Sequence, residues 1–405
     1  MLGASILLAA SLVNAWSGDE HQMVGDIATA FLAPETQAAL NTLVATFAVG
    51  GKTYTFNGSV ASMTTWADAV KGSKEYKWSS SSHYIDYEDI VAVDVLNKTA
   101  TAVSCSTVID EISCPAGVCI TTAIANYTNR ADFSNKLADQ VRAEAVLFLT
   151  HYIGDITQPL HNCGKGQGGN GYLVKWNGSI YEPAPYDKYK HNLHFIWDQF
   201  MIEADILENY EKSIPKYVAS IVNDISCGAY AAEAASWVSC SSPLKTDSGL
   251  IAPVCPIEWS QDGNGFNCKT VWENLGTNPS SQTDDLYTNG YYAKNKGIAR
   301  KQLAKAGLRL AYALNALVPS TPKVANLKCK AATSTATSTA TSTATATSTA
   351  TYVEKVSVTR CTAGATISVY LPPAPTAYKP STNLYSGASS VVFGAAVALV
   401  LFAMI

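Results

Sequence analysis

From Ala331 to Thr351 every residue is alanine, threonine or serine. Side chains so small and polar bury too little surface to offset the entropy of ordering the chain, so the tract does not belong to a packed core. It reads as a stalk of the kind that carries O-linked glycans, and it confines any substantial fold to the residues before it. The other end is bounded as well. Met1–Ala15 holds an apolar run from Leu2 to Val13 and a small residue before Trp16, the pattern of a secretory signal peptide. What lies between, residues 16–318, is long enough for one large domain with a sizeable core. Residues 319–390 are then a stalk or linker. Residues 391–405 are apolar and uncharged, short for a membrane span and without a basic stop, which suits a GPI-anchor signal removed on maturation.

The compartment follows from two further features. Ten cysteines with no C-x-x-C pair suit disulfides in an oxidising environment rather than a thiolate metal site. Sequons at Asn57, Asn97, Asn126 and Asn177 agree with secretion and glycosylation. The expected location is extracellular, tethered to the cell surface through the C-terminal lipid anchor.

Within 16–318 the apolar residues recur with a helical period. Asn135–Gly154 sets Leu137, Val141, Ala145, Phe148, Leu149 and Tyr152 on neighbouring turns, and Asn192–Tyr210 and Lys296–Leu317 are amphipathic in the same way. Only Gly171–Trp176 reads as a clear strand, one arm of a hairpin. The predicted fold is mainly α.

Six histidines occur, His21, His83, His151, His161, His191 and His194. His151 and Asp155 are four apart in a predicted helix, as are His194 and Asp198, so each pair projects from one helix face. Imidazole and carboxylate at that spacing form a mixed nitrogen and oxygen site that suits zinc and leaves positions open for water and substrate. One such pair alone is commonly a surface or core hydrogen bond; the complete set carries the inference.

That set resembles the zinc-dependent S1/P1 nucleases over nearly all of residues 16–318. The matching segments are Trp16-Ser17-Gly18 with His21 five residues on, Thr65-Trp66-Ala67-Asp68, His83-Tyr84-Ile85-Asp86, His151-Tyr152-Ile153-Gly154-Asp155 through Gln158-Pro159-Leu160-His161, and Asn192-Leu193-His194 with Trp197-Asp198. A softer match is the closing helix, Gly307-Leu308-Arg309-Leu310-Ala311. The resemblance implies a single large helical domain of the P1 nuclease and zinc phospholipase C type and three zinc ions; the short β-hairpin and the disordered C-terminal stalk come from the strand pattern and the composition read above. Asp68, His83 and His151 would hold one ion, with Asp155 bridging to a second. The second would also take His21 and the α-amine and carbonyl of Trp16, and His161, His194 and Asp198 would hold the third. An amine ligand requires cleavage before Trp16.

The implied activity is endonucleolytic hydrolysis of single-stranded DNA and RNA to 5′-phosphorylated products, with 3′-nucleotidase activity, by a monomer. A net charge of −4 gives no general attraction to nucleic acid. Three zinc dications outweigh the carboxylates of Asp68, Asp155 and Asp198, so the positive field would be local to the site. Asp155 and Asp68 would be catalytic together with Lys71, which stands where the family usually has an arginine touching phosphate; lysine keeps the charge without the bidentate fork. Tyr84 occupies a base-stacking position, Asp86 is a candidate supporting residue, and His191 matches no ligand position and is expected at the surface. Gln167 and the apparent insertion around Tyr181–Tyr186 depart from the family beside the site. Cys114 and Cys119 match a local disulfide of the family, and Cys105 would reach a late cysteine such as Cys268. Two other readings fit part of the pattern. A zinc phospholipase C shares the fold but spaces its first histidine further from the tryptophan and ends its ligand set with glutamate. A non-catalytic surface glycoprotein would share the stalk and tail.

Overall fold

The computed structural model describes residues 16–85, 91–94, 99–102, 114, 117–176, 191–275, 285–319, 355–359 and 366–370. The expected signal peptide, Asp86, the apparent insertion around Tyr181–Tyr186, the Ala/Thr/Ser tract, the apolar tail and the expected Cys105–Cys268 pairing fall outside the described residues. The helices in chain order are α1 (Gly18–Thr29), α2 (Pro34–Leu43), α3 (Val60–Met63), α4 (Trp66–Val70), α5 (Ile120–Ala131), α6 (Asp139–Asp155), α7 (Leu193–Phe195), α8 (Met201–Asn209), α9 (Ile214–Ser226), α10 (Pro256–Phe266) and α11 (Tyr291–Leu317). Strands are short antiparallel pairs: Thr46–Val49 with Lys52–Thr55, Val91–Asp94 with Thr99–Ala102, Leu173–Val174 with His191–Asn192, Leu244–Lys245 with Ile251–Ala252, and Lys355–Thr359 with Thr366–Tyr370. The mainly α expectation holds. The expected hairpin arm at Gly171–Trp176 narrows to Leu173–Val174, and the other pairs are segments too short to carry a period of two in the sequence.

The core is organised around α6. From Ala145 to Asp155 every residue of this helix is buried, so it is enclosed on all sides rather than amphipathic. It begins at Asp139, later than the predicted Asn135. The Asp132 carboxylate accepts from the Ser134 amide at 2.8 Å, and the Arg142 guanidinium donates to the Asn135 and Leu137 carbonyls, holding the intervening chain out of the helix. The last helix, α11, starts earlier than predicted and runs 27 residues, about 40 Å at 1.5 Å per residue. It lies close against α1, where a Cβ on Gly307 would come within 2.4 Å of Ile27, so glycine sets the spacing of the two helices. Two residues on, buried Arg309 donates to the Trp237 carbonyl and to Asp262 of α10, which also receives Lys305. The closing-helix motif therefore fixes α11 to both α1 and α10. That placement sets His21, on α1, against the C-terminal half of α6.

The predicted helix over Asn192–Tyr210 is divided. α7 and α8 are joined by a π-helical turn, Ile196–Phe200, that contains Asp198. Disulfides join Cys114 to Cys119, as the resemblance implies, and Cys240 to Cys255, a pairing the sequence left open. The exposed side chains of Asn57 and Asn126 are compatible with their sequons. Among the described residues no helix is long and apolar enough to cross a membrane.

Candidate metal centre

Three helical segments and one turn converge on Asp155, the last residue of α6. Its Oδ1 lies 3.0 Å from His21 Nε2, and its Oδ2 lies 3.0 Å from His83 Nδ1 and 3.2 Å from His151 Nε2. Asp68, from α4, places Oδ1 3.6 Å from His83 Nδ1 and 3.5 Å from His151 Nε2. The His21 ring stacks on the His151 ring at 3.9 Å. Two ligand groups result, His21 with His151 and Asp155, and Asp68 with His83 and His151. The two oxygens of Asp155 face one group each. A third group, His161 with His194 and Asp198, has Nε2 to Nε2 at 3.2 Å and His194 Nε2 to Asp198 Oδ2 at 3.2 Å. Apart from Asp68, which is partly exposed, these side chains are buried.

The donor chemistry identifies what these groups suit. His151, His161 and His194 each donate through Nδ1 to a main-chain carbonyl, of Thr64 at 2.6 Å, His83 at 2.7 Å and Gly168 at 2.6 Å. In the neutral imidazole that tautomer leaves Nε2 as a bare lone pair. The Nε2 atoms of His161 and His194 are thus two acceptors facing each other, an arrangement that needs a cation between them. His21 Nε2 and Asp155 Oδ1 are close, yet neither has a partner in hydrogen-bond geometry. Ligand atoms around a tetrahedral zinc, each at about 2.0–2.1 Å, lie roughly 3.3 Å from one another. The spacings of 3.0–3.6 Å found here match. The residues present fit metal ions.

Electrostatics point the same way. Burial lowers the His21 and His83 imidazoles to about 4, keeping them in the neutral state that ligates metal. Burial works to raise the Asp155 carboxyl, but the His151 imidazole, followed by those of His21 and His83 packed around the carboxylate, holds it well below the usual range. Asp68 behaves likewise: burial opposes ionisation, and Lys71, followed by His151 and His83, overrides it. Asp198 is the exception. Burial pushes it well above the ordinary carboxylate value despite a 2.6 Å hydrogen bond from Gln158 Nε2. A cation at this third group would offset that cost directly.

The remaining expected site residues fall around these groups. Trp16 is fully buried, its indole Nε1 donates to the Gly154 carbonyl at 3.1 Å, and the next amide, of Ser17, donates to the Asp198 carbonyl. The chain at Trp16 therefore runs between the Asp155 turn and the Asp198 turn. Lys71 is buried with Nζ 2.7 Å from Asp68 Oδ1. Tyr84 is half-buried directly after His83, and its carbonyl accepts from the Ile120 amide. Gln167, with φ of 57°, lies in the turn that offers the Gly168 carbonyl to His194. His191 is buried rather than at the surface: its backbone pairs with Val174, and its ring packs edge-on against Phe200 at 4.8 Å. Sequence reasoning assigned no role to Gln158 or to the carbonyls of Thr64, His83 and Gly168, although these orient the ligands.

Comparison with known proteins adds an independent finding. The family model described as S1/P1 Nuclease matches residues 16–319. The chain is 31% identical over 303 residues to "Nuclease P1" of Penicillium citrinum, covering 74% of this chain and 97% of that protein. It is 30% identical over 325 residues to "Nuclease S1" of Aspergillus oryzae, covering 79% and 98%. To "Endonuclease 4" of Arabidopsis thaliana it is 29% identical over 334 residues, covering 80% and 96%.

Proposed function

The chain belongs to the S1/P1 nuclease family and is a phosphodiester hydrolase acting on nucleic acid, and we propose that it cleaves single-stranded DNA and RNA endonucleolytically, leaving 5′-phosphates, and also removes 3′-phosphates from nucleotides. The observation that carries this reading is the convergence of His21, Asp68, His83, His151 and Asp155 beside a second group of His161, His194 and Asp198, with lone pairs turned inward. Three zinc ions are the proposed cofactors, held by those residues, with the α-amine and carbonyl of Trp16 completing the His21 side after cleavage at Ala15. Zinc bound there supplies Lewis-acid polarisation and lowers the pKa of water.

The chain's own residues contribute orientation and charge. Asp155 divides its oxygens between two ligand groups, so it spaces them. Gln158 fixes the rotamer of Asp198, and the three carbonyl-bound histidines are held in one tautomer. Lys71 supplies a fixed positive charge against Asp68 that would attract a phosphate oxygen. Tyr84, adjoining His83, offers a ring for base stacking, which tolerates any sequence. Burial of the ligands supports a single-strand preference, because a phosphodiester has to leave a stacked duplex to enter so recessed a site. No side-chain nucleophile is invoked. An extracellular, surface-tethered monomer is the proposed setting, supported by the leader and tail read from the sequence and by the disulfides at Cys114–Cys119 and Cys240–Cys255.

The test is hydrolysis of a single-stranded oligonucleotide by protein processed to begin at Trp16, with and without a chelator and after zinc is restored. Zinc-dependent release of 5′-phosphorylated fragments is the expected result. Zinc-loaded protein that leaves the oligonucleotide intact would refute it.

A further inference from the structure

Trp78 is 54% exposed, an unusual place for the largest apolar side chain and one that leaves much of its burial free energy unrealised. The ring is nevertheless fixed. Its Nε1 donates to the Glu75 carbonyl at 2.8 Å, and it packs at 6.1 Å from the Tyr76 ring and 5.8 Å from the Phe148 ring. Tyr76 and Phe148 in turn meet Trp66 edge-on at 5.2 and 5.0 Å. Trp66 opens α4, which carries Asp68, and Phe148 lies on α6 seven residues before Asp155, about 10 Å along the helix axis. The 3-10 turn Lys77–His83 joins Trp78 to a ligand histidine. Trp78 is thus the exposed ring of an aromatic cluster whose inner members, Trp66 and Phe148, belong to the helices that carry Asp68 and Asp155. Lys74 and Lys77 flank it, both exposed. The nearby Glu75 carboxylate is turned toward the tight turn at Gly50.

We propose that Trp78, with Lys74 and Lys77, is a stacking platform for a base of a single-stranded substrate that lies beyond the two nucleotides flanking the scissile phosphodiester. The inference rests on the nuclease reading and extends it to a second contact outside the metal centre. Rigid exposed aromatics between lysines bind single strands because every base has a face to stack and every linkage a phosphate to neutralise.

The test compares kcat/KM of the zinc-loaded protein on a twelve-residue oligothymidylate with that on the thymidine dinucleotide, which is too short to reach the platform. Trp78→Ala lowers the long-to-short ratio about five- to hundredfold, the equivalent of losing one stacked base. Trp78→Phe keeps most of the ratio, and Lys77→Gln reduces the salt slope of oligothymidylate binding by about one. A ratio unchanged in Trp78→Ala overturns the proposal, including the case in which both substrates lose rate in proportion, which would make Trp78 a support for His83. Failure of the wild type on both substrates overturns the nuclease reading instead. The platform is then judged from oligothymidylate binding by fluorescence anisotropy, where equal affinity of wild type and Trp78→Ala overturns it.

Discussion

Replacing Gly154 with alanine separates the fold from the metal centre. Alanine in the last turn of α6 improves helix propensity by about 1 kcal/mol over glycine. Its Cβ, however, would stand 2.9 Å from His21 Nδ1 and 3.0 Å from His21 Cε1. Ordinary contacts of this kind sit at about 3.5–4.0 Å, so the ring has to move by roughly 0.5 Å or more. It has little room to do so: its face stacks on His151, its Nε2 points at Asp155, and it is fully buried. Overpacking of this order costs about 1–3 kcal/mol, which against the propensity gain leaves a net loss of about 0–2 kcal/mol. The larger effect falls on metal binding. A ligand displaced by half an ångström is outside the tolerance of a preorganised site, and zinc affinity falls about 10–100-fold. By linkage, zinc-dependent stabilisation drops by about 1.4–2.7 kcal/mol. Thermal denaturation of Gly154→Ala with chelator and with zinc, beside a competitive zinc titration, reads both quantities. A variant stabilised by the full propensity gain, with unchanged zinc affinity, would refute the packing argument.

Other perturbations probe separate parts of the account. Asp155→Asn removes the carboxylate shared by two ligand groups and is expected to abolish nearly all hydrolysis and lower bound zinc; full turnover in that variant would contradict the bridging role. Gln158→Leu strips Asp198 of its 2.6 Å donor and should weaken zinc at the third group about 10–100-fold, measured as loss of one zinc equivalent under limiting metal while the other two are retained. Asp26 is half-buried, and burial raises its carboxyl to about 7. The folded state then holds a proton that the unfolded state releases near pH 4, so stability declines as pH rises from about 4 through 7. Asp26→Asn should flatten that part of the melting-temperature profile, and identical profiles would remove the group from the account.

Much of the centre was legible because its chemistry is carried by side chains at fixed spacing. His151 and Asp155 share a helix face whatever surrounds them, and the step from Trp16 to His21 survives as a pattern. The supports were not legible for a physical reason: the carbonyls of Thr64, His83 and Gly168 belong to the backbone, which every residue possesses. The π-helical turn at Ile196–Phe200 was hidden because one extra residue per turn leaves the run of apolar residues intact. His191 carries no sign of its neighbours, and only the pairing of His191–Asn192 with Leu173–Val174 turns it inward. Trp78 illustrates the converse. An aromatic in a local run of tryptophan and tyrosine reads as core, and only the fold shows that Tyr76 is covered while Trp78 faces solvent.

Metal content tests the central claim most directly. Protein beginning at Trp16, purified without chelator, would be analysed for zinc by elemental mass spectrometry, then stripped and reconstituted while hydrolysis of single-stranded DNA is followed. The account predicts three zinc equivalents per chain and activity that returns as they are restored. Full hydrolysis by protein holding no metal would contradict it.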